Sequence, residues 1–143
     1  MNLTVRSVDV NHVQQVWPMV KDFIQEALDK GGDFPEWADG YNISHVQSFV
    51  TTGQWLLLVA VDEEKAIHGA MTISFLNYPL HRVAFVTTTG GKFIANPELL
   101  EQLKALVKIH GATKIQAFCR ESMVRLLARA NFEPRNTLVE VLV

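Results

Sequence analysis

The sequence predicts a single α/β domain, residues 1–143, with a mixed, mostly antiparallel central sheet and helices on both faces. Three observations carry this. The chain has 143 residues, 48% of them hydrophobic and 20% charged, the size and composition of one folded domain with a sizeable core. Its apolar residues switch between alternation and helical i, i+3, i+4 spacing in the order β-α-α-β-β-β-α-β-α-β. The three middle strands are joined by short turns, as in an antiparallel meander, whereas the later β-α-β needs a right-handed crossover to a parallel neighbour.

Residues 3–8 alternate Leu/Val/Val with Thr/Arg/Ser and read as a first strand. Asn11 then reads as a helix cap, followed by one apolar face of Val13, Val16, Trp17, Val20, Phe23, Ile24, Ala27 and Leu28. Pro18 lies inside this pattern and predicts a kink or a restart. Gly31 and Gly32 end it. A loop over 33–42 carries Phe34, Pro35, Trp37 and Tyr41, and a short helix follows with Asn42 as cap and Ile43, Val46, Phe49 and Val50 inward. Residues 55–61 are nearly all apolar, as in a strand covered on both faces. After a polar turn at 62–65, strands are expected at 67–76 and 81–89, separated by Asn77, Tyr78 and Pro79, and the Gly90–Gly91 pair is expected to break the second. Asn96, Pro97 and Glu98 start a helix with cap, proline and early acid. A strand at 114–119, a helix at 121–130 and a final strand at 137–143 complete the chain.

The 13 basic and 15 acidic side chains leave a net charge of −2, which argues against a broad nucleic-acid surface. Cys119 is the only cysteine, so an internal disulfide and a CxxC metal knuckle are excluded, and a cytoplasmic setting is favoured. The first residues lack the apolar core of a secretory signal, and the longest apolar run is far below the roughly 20 residues of a membrane helix. No membrane association is expected. His12, His45 and His110 have no i, i+4 partner, so metal ligation has no support.

The element order is similar to that of the GNAT superfamily of N-acetyltransferases over essentially the whole chain. Leu126, Leu127, Ala128, Arg129, Ala130, Asn131, Phe132, Glu133 and Pro134 resemble the closing helix of that superfamily and its leucine-glycine-phenylalanine turn. Asn131 would replace the glycine, since asparagine tolerates the left-handed conformation. Gln14 to Pro18, Trp55 to Val61, Asn77 to Pro79 and the Gly90–Gly91 pair further resemble short GNAT-like proteins encoded by bacteriophages, which often lie among particle-assembly genes. For a chain of that origin the setting would be the host cytoplasm or the virion.

The resemblance implies acetyl transfer from acetyl-CoA, and the residues can be held against that chemistry. The superfamily cradles the pyrophosphate with a Gln/Arg-x-x-Gly-x-Gly/Ala loop at a helix N-terminus, where backbone N–H groups and the helix dipole favour anions. Here that stretch offers Gly90, Gly91 and Lys92 as cofactor-binding candidates, without the spacing. Pro97 removes an amide and Glu98 sets a negative charge where a phosphate would sit. The plainer reading is a turn before a well-capped helix, with the glycine pair as a β-bulge and Lys92 solvated.

Acetyl transfer also needs a base for the amine and an acid for the leaving thiolate. No Asp or Glu occurs between Lys65 and Glu98, and the position resembling the closing-helix tyrosine is Leu127. His68 and His81 are the titratable candidates for a catalytic role on the central strands. Each has the competing reading of an ordinary hydrogen-bonded strand histidine. Arg82, beside His81, could form a polar site with the Asn77–Tyr78–Pro79 turn. Cys119 reads as packing.

These deficits favour a degenerate acetyl-CoA site, no bound cofactor and a function through protein binding, with an active N-acetyltransferase as the alternative. Phe34, Trp37 and Tyr41 are the partner-binding candidates, since loop aromatics are enriched at interfaces. Their competing reading is a lid folded onto the core. The apolar residues 138–143 are expected to pair within the sheet or with another copy, because a bare edge invites association.

Overall fold

A computed structural model describes residues 2–30, 40–93 and 96–143. The sheet has five strands in sequence order, β1 (Thr4–Ser7), β2 (Leu56–Val61), β3 (Ile67–Asn77), β4 (Arg82–Gly91) and β5 (Lys114–Ala117). The first four are antiparallel neighbours and β5 lies parallel to β4. The helices are α1 (Val13–Lys30), α2 (Ile43–Thr51), α3 (Pro97–Ile109) and α4 (Glu121–Ala128). No helix among the described residues is long and apolar enough to cross a membrane.

Two apolar clusters sandwich the sheet, and β2 shows why. Its residues alternate between them: Leu58 and Ala60 join Met71, Ile73 and the α3 residues Leu99, Leu103 and Val107, while Leu57, Val59 and Val61 meet Val13, Trp17, Val20 and Ile24 of α1 and Val46 and Val50 of α2. A strand buried on both faces needs apolar side chains on both, which is the composition of this segment.

The caps follow local chemistry. A 3-10 turn over Val10–His12 precedes α1, and its cap is Asp9, whose carboxylate accepts the Asn11 N–H, rather than Asn11 itself. The helix is then continuous through Pro18, without a restart. Asn42 caps α2 in a reciprocal box: its Oδ1 accepts the His45 N–H at 3.1 Å and its own N–H donates to His45 Nδ1 at 3.0 Å. His45 is thereby a capping residue. Asn131 takes the left-handed conformation, φ 67°, as expected behind the last helix.

Three expectations are corrected. Gly90 and Gly91 do not break β4, which stays paired with β3 through Gly91. The bulge sits further back, at the register shift after Thr72. The strand expected at 137–143 does not form: the residues after α4 join no ladder, and Val139, Val141 and Leu142 are exposed.

Candidate functional site

The centre of β4 breaks its own apolar alternation with Thr87, Thr88 and Thr89. Thr88 pairs with Thr72 and Val86 with Ile73, so Thr87 is the extra residue of a bulge. Such a bulge turns neighbouring side chains toward one side of the strand. Thr72 Oγ1 lies 2.7 Å from Thr87 Oγ1 and 2.6 Å from Thr88 Oγ1. Thr72 and Thr88 are buried, and each has found a hydroxyl partner. The carbonyl of Thr87 accepts the hydroxyl of Tyr41.

The parallel pairing of β4 with β5 stops at the same place. Its last register pair is Val86 with Ala117, while β4 continues to Gly91. Strand β5 is paired along its whole length and ends at Ala117, so Thr88 to Gly91 have β3 as their strand neighbour.

Beyond Gly91 the loop turns into α3. Gly90 is buried because α1 passes directly over it: a Cβ built there would lie 2.1 Å from the Phe23 carbonyl oxygen. Gly91 has φ +74° and a Cβ would meet the His68 carbonyl oxygen at 2.4 Å. Lys92 donates its N–H to the His68 carbonyl at 3.0 Å, and Phe93 donates to the Gly91 carbonyl at 3.2 Å. The ring of Phe93 is driven into the core against Leu99 and Leu103. At the helix start the Glu98 N–H is taken by Asn96 Oδ1 at 2.9 Å, and Pro97 has none. The Lys92 side chain is exposed. Among the described loop residues, the amides of Lys92, Phe93 and Glu98 already have acceptors within the chain.

The two histidines stand at opposite ends of the β3–β4 ladder. Ten residues of β-structure separate His68 from the turn at Tyr78, roughly 30 Å at the usual strand rise, and the bulge lies between them. His68 Nε2 is 2.8 Å from Asp62 Oδ2 across the β2–β3 turn. Asp62 also accepts the N–H groups of Glu64 and Ala66, both at 2.9 Å. The histidine bond first, then the amides, holds the Asp62 carboxyl below its usual pKa. This is the chemistry of a closed turn, with His68 as its side-chain partner.

A pH prediction follows with a definite sign. A carboxyl lowered on folding contributes stability above its unfolded value, near pH 4, and loses it as pH falls through the folded value. Asp62→Asn is expected to lower the thermal midpoint at neutral pH, with the gap to the parent chain closing below about pH 4. A gap that stays constant into acid in melting curves would show that the charge is not its source.

His81 is exposed, and its Nδ1 lies 3.0 Å from Thr113 Oγ1. Arg82 is committed elsewhere: Nε donates to the His110 carbonyl at 2.9 Å, Nη1 to Asn77 Oδ1 at 2.7 Å, and the guanidinium lies over the Phe75 ring at 4.3 Å. A cleft of about 530 Å³ opens at this end between Tyr78, Leu80, His81, Lys114, Gln116 and Asn136. It lies at the start of β5, away from the bulge.

Of the loop aromatics, Phe34 and Trp37 fall outside the described residues. Tyr41 is half-buried, its ring edge-on to Trp55 at 5.1 Å and its hydroxyl on the Thr87 carbonyl, and burial pushes its phenol pKa up. Cys119 is partly exposed just after β5 and is a free thiol. Leu127 is buried in α4. Among the described residues no group of three His, Cys, Asp or Glu could hold a metal ion. The residues missed from sequence were Thr72, Thr87 and Thr88. Their signal was present as a polar run interrupting an otherwise apolar strand.

A five-stranded, mostly antiparallel sheet with one parallel pair, β4–β5, and helices on both faces is the architecture of the acyl-CoA N-acyltransferase, or GNAT, fold, and this chain shares that fold with solved acetyltransferases. The likeness to solved structures is fold-level. The chain is 15% identical to an aminoglycoside acetyltransferase from an uncultured soil metagenomic sample, with a TM-score of 0.66 over 100% of this chain and 99% of that one. It is 11% identical to a protein of Clostridium acetobutylicum called a predicted acetyltransferase and solved with acetyl-CoA, TM-score 0.59, over 99% and 96%. It is 9% identical to glucosamine-6-phosphate N-acetyltransferase from Arabidopsis thaliana, TM-score 0.60, over 99% of both chains. No protein-family model matches the sequence, and no curated protein matches it.

Proposed function

We propose that this chain is a GNAT-fold protein with a degenerate acetyl-CoA site that acts by binding another protein. The observation that carries this reading is the loop between β4 and α3. A pyrophosphate needs several unpaired N–H groups converging on one point, helped by the positive end of a helix. Here the Lys92, Phe93 and Glu98 amides have internal acceptors, Pro97 has no N–H, and the Glu98 carboxylate opposes an anion at the helix start. Phe93 itself is anchored in the apolar cluster with Leu99 and Leu103. The described residues therefore do not fit the phosphate end of the cofactor, and no transfer step is derived through it. Two further features suit association: exposed apolar side chains at 138–143, and the resemblance to short phage proteins whose genes often lie among particle-assembly genes.

The experiment is thermal unfolding with acetyl-CoA at millimolar level, with desulfo-CoA and ATP as controls. A specific ligand at about 100 times its Kd adds roughly 2.7 kcal/mol of stability and raises the midpoint by several degrees. No shift is expected. A shift selective for the CoA compounds would overturn the proposal in favour of an active N-acetyltransferase. That second reading has its own support in the fold shared with solved acetyltransferases.

A further inference from the structure

Four strands bring their ends together at the end of the sheet opposite the loop into α3. Val8 follows β1, Leu56 opens β2, Phe75 lies near the end of β3 and Arg82 opens β4. With Val10 of the 3-10 turn and Trp55 they line a cavity of about 320 Å³. Its apolar walls are not fully covered: Val10 is 46% exposed, and Val8, Trp55 and Leu56 are half-buried. No Asp or Glu lines it. Asp9, the nearest acid in sequence, is turned to its cap, with Oδ1 on the Asn11 N–H. Arg82 and Gly91 bound the ten residues of β4, so roughly 30 Å of strand separates this cavity from the loop into α3.

Arg82 is the fixed charge at this cavity. Its Nε donates to the His110 carbonyl and its Nη1 to Asn77 Oδ1, whereas Nη2 donates to no group of the chain among the described residues. No carboxylate forms an ion pair with it among the described residues. The two bonds and the Phe75 ring at 4.3 Å hold the guanidinium plane in place. Its remaining donors are therefore preorganised, with the rotamer freedom of a loose arginine already lost. Support of the α3 C-terminus explains the bond to His110. It leaves Nη2 and the charge unanswered.

Small-molecule sites combine mostly apolar walls with a few fixed polar groups in roughly 300–1,000 Å³, and this cavity has that make-up at the small end. We propose that it binds a small amphipathic monocarboxylate, whose carboxylate meets Arg82 Nη2 and whose hydrocarbon body covers Val10, Trp55 and Leu56. The single cation matches one negative charge, and the apolar walls disfavour a doubly charged, strongly hydrated phosphate. Acyl-CoA binding at the far end of β4 has no bearing on this site.

Octanoate titrated into the isotope-labelled full chain, followed by nuclear magnetic resonance, is the test, with octanol as the uncharged probe. Saturable shifts are expected at the Trp55 indole N–H and the Arg82 Nε–H, with octanol binding about tenfold more weakly. Arg82→Gln should weaken octanoate by about the same factor and remove its advantage over octanol. That substitution also releases the His110 carbonyl and can loosen α3, so Val10→Glu supplies a second reading with Arg82 in place. A carboxylate at the exposed mouth should repel octanoate more than octanol. Equal affinity for the two probes, no saturable shift at either N–H, or octanoate binding unchanged in a folded Arg82→Gln or Val10→Glu chain would each overturn the proposal.

Discussion

Gly90→Ala is expected to be strongly destabilising. The added carbon would lie 2.1 Å from the Phe23 carbonyl oxygen, 2.8 Å from its carbonyl carbon and 3.3 Å from its Cα. All three are main-chain atoms in α1, so no rotamer change relieves the contact. The helix has to lift from β4, taking Val20 and Ile24 away from the second apolar cluster. Overpacking commonly costs about 1–3 kcal/mol, and a backbone-to-backbone overlap belongs at or beyond the top of that range. Against a total stability of about 5–15 kcal/mol, the midpoint should fall by ten degrees or more, or the protein should fail to accumulate folded.

Gly53→Ala is the control. Gly53 has φ +79°, but a Cβ there would meet only the Val10 side chain at an ordinary 3.5 Å. Its penalty is the left-handed backbone alone, about 1 kcal/mol. Urea melts of the two variants decide the matter. If Gly90→Ala cost no more than Gly53→Ala, the close approach of α1 to β4 would be wrong.

That contact also marks where the sequence stops being informative. Gly90 and Gly91 look like strand breakers, because glycine usually is one. The reason for Gly90 is Phe23 in a helix far earlier in the chain, and that for Gly91 is its positive φ and the His68 carbonyl across the ladder; no local window contains either. The bulge at Thr87 is an intermediate case. Three threonines in an apolar strand signal that the alternation fails, but only the pairing with Thr72 shows where the extra residue lies. By contrast, the caps at Asn42 and Asn96 and the two-sided burial of β2 depend on residues within one turn or on hydrophobicity alone. Those were legible. The Asp62–His68 contact lay within reach too, since both residues flank one short hairpin turn.

The segment 138–143 shows the opposite failure. Its alternation and β-branched content are those of a strand, yet a strand needs an edge to pair with, and which edge it finds is a tertiary question. The candidate site was legible mainly in what it lacked. The absence of carboxylates between Lys65 and Glu98 and the proline at the start of α3 could be read directly. The capture of the Lys92 and Phe93 amides by neighbouring carbonyls could not, because it depends on how β3 and β4 end together at His68 and Gly91.

Phe93→Ala is expected to carry the second large effect, and it links stability to the proposed function. Phe93 sits in the loop between β4 and α3, where a nucleotide-binding loop would keep its main chain free. It is instead 2% exposed and packed with Leu99 and Leu103. Removing a buried phenylalanine ring costs about 3–5 kcal/mol, through lost transfer energy and the cavity left behind. Leu80→Ala, at a site 88% exposed, should stay within about 0.5 kcal/mol of the parent. A loss for Phe93→Ala below about 1 kcal/mol would mean that the ring is not core, and the loop would then be free to rearrange around a ligand. The acetyl-CoA shift measured on the same variant separates two causes of silence in the parent chain. A variant that stays silent has lost the site through Pro97, Glu98 and the missing amides, whereas one that now responds had been held closed by this single ring.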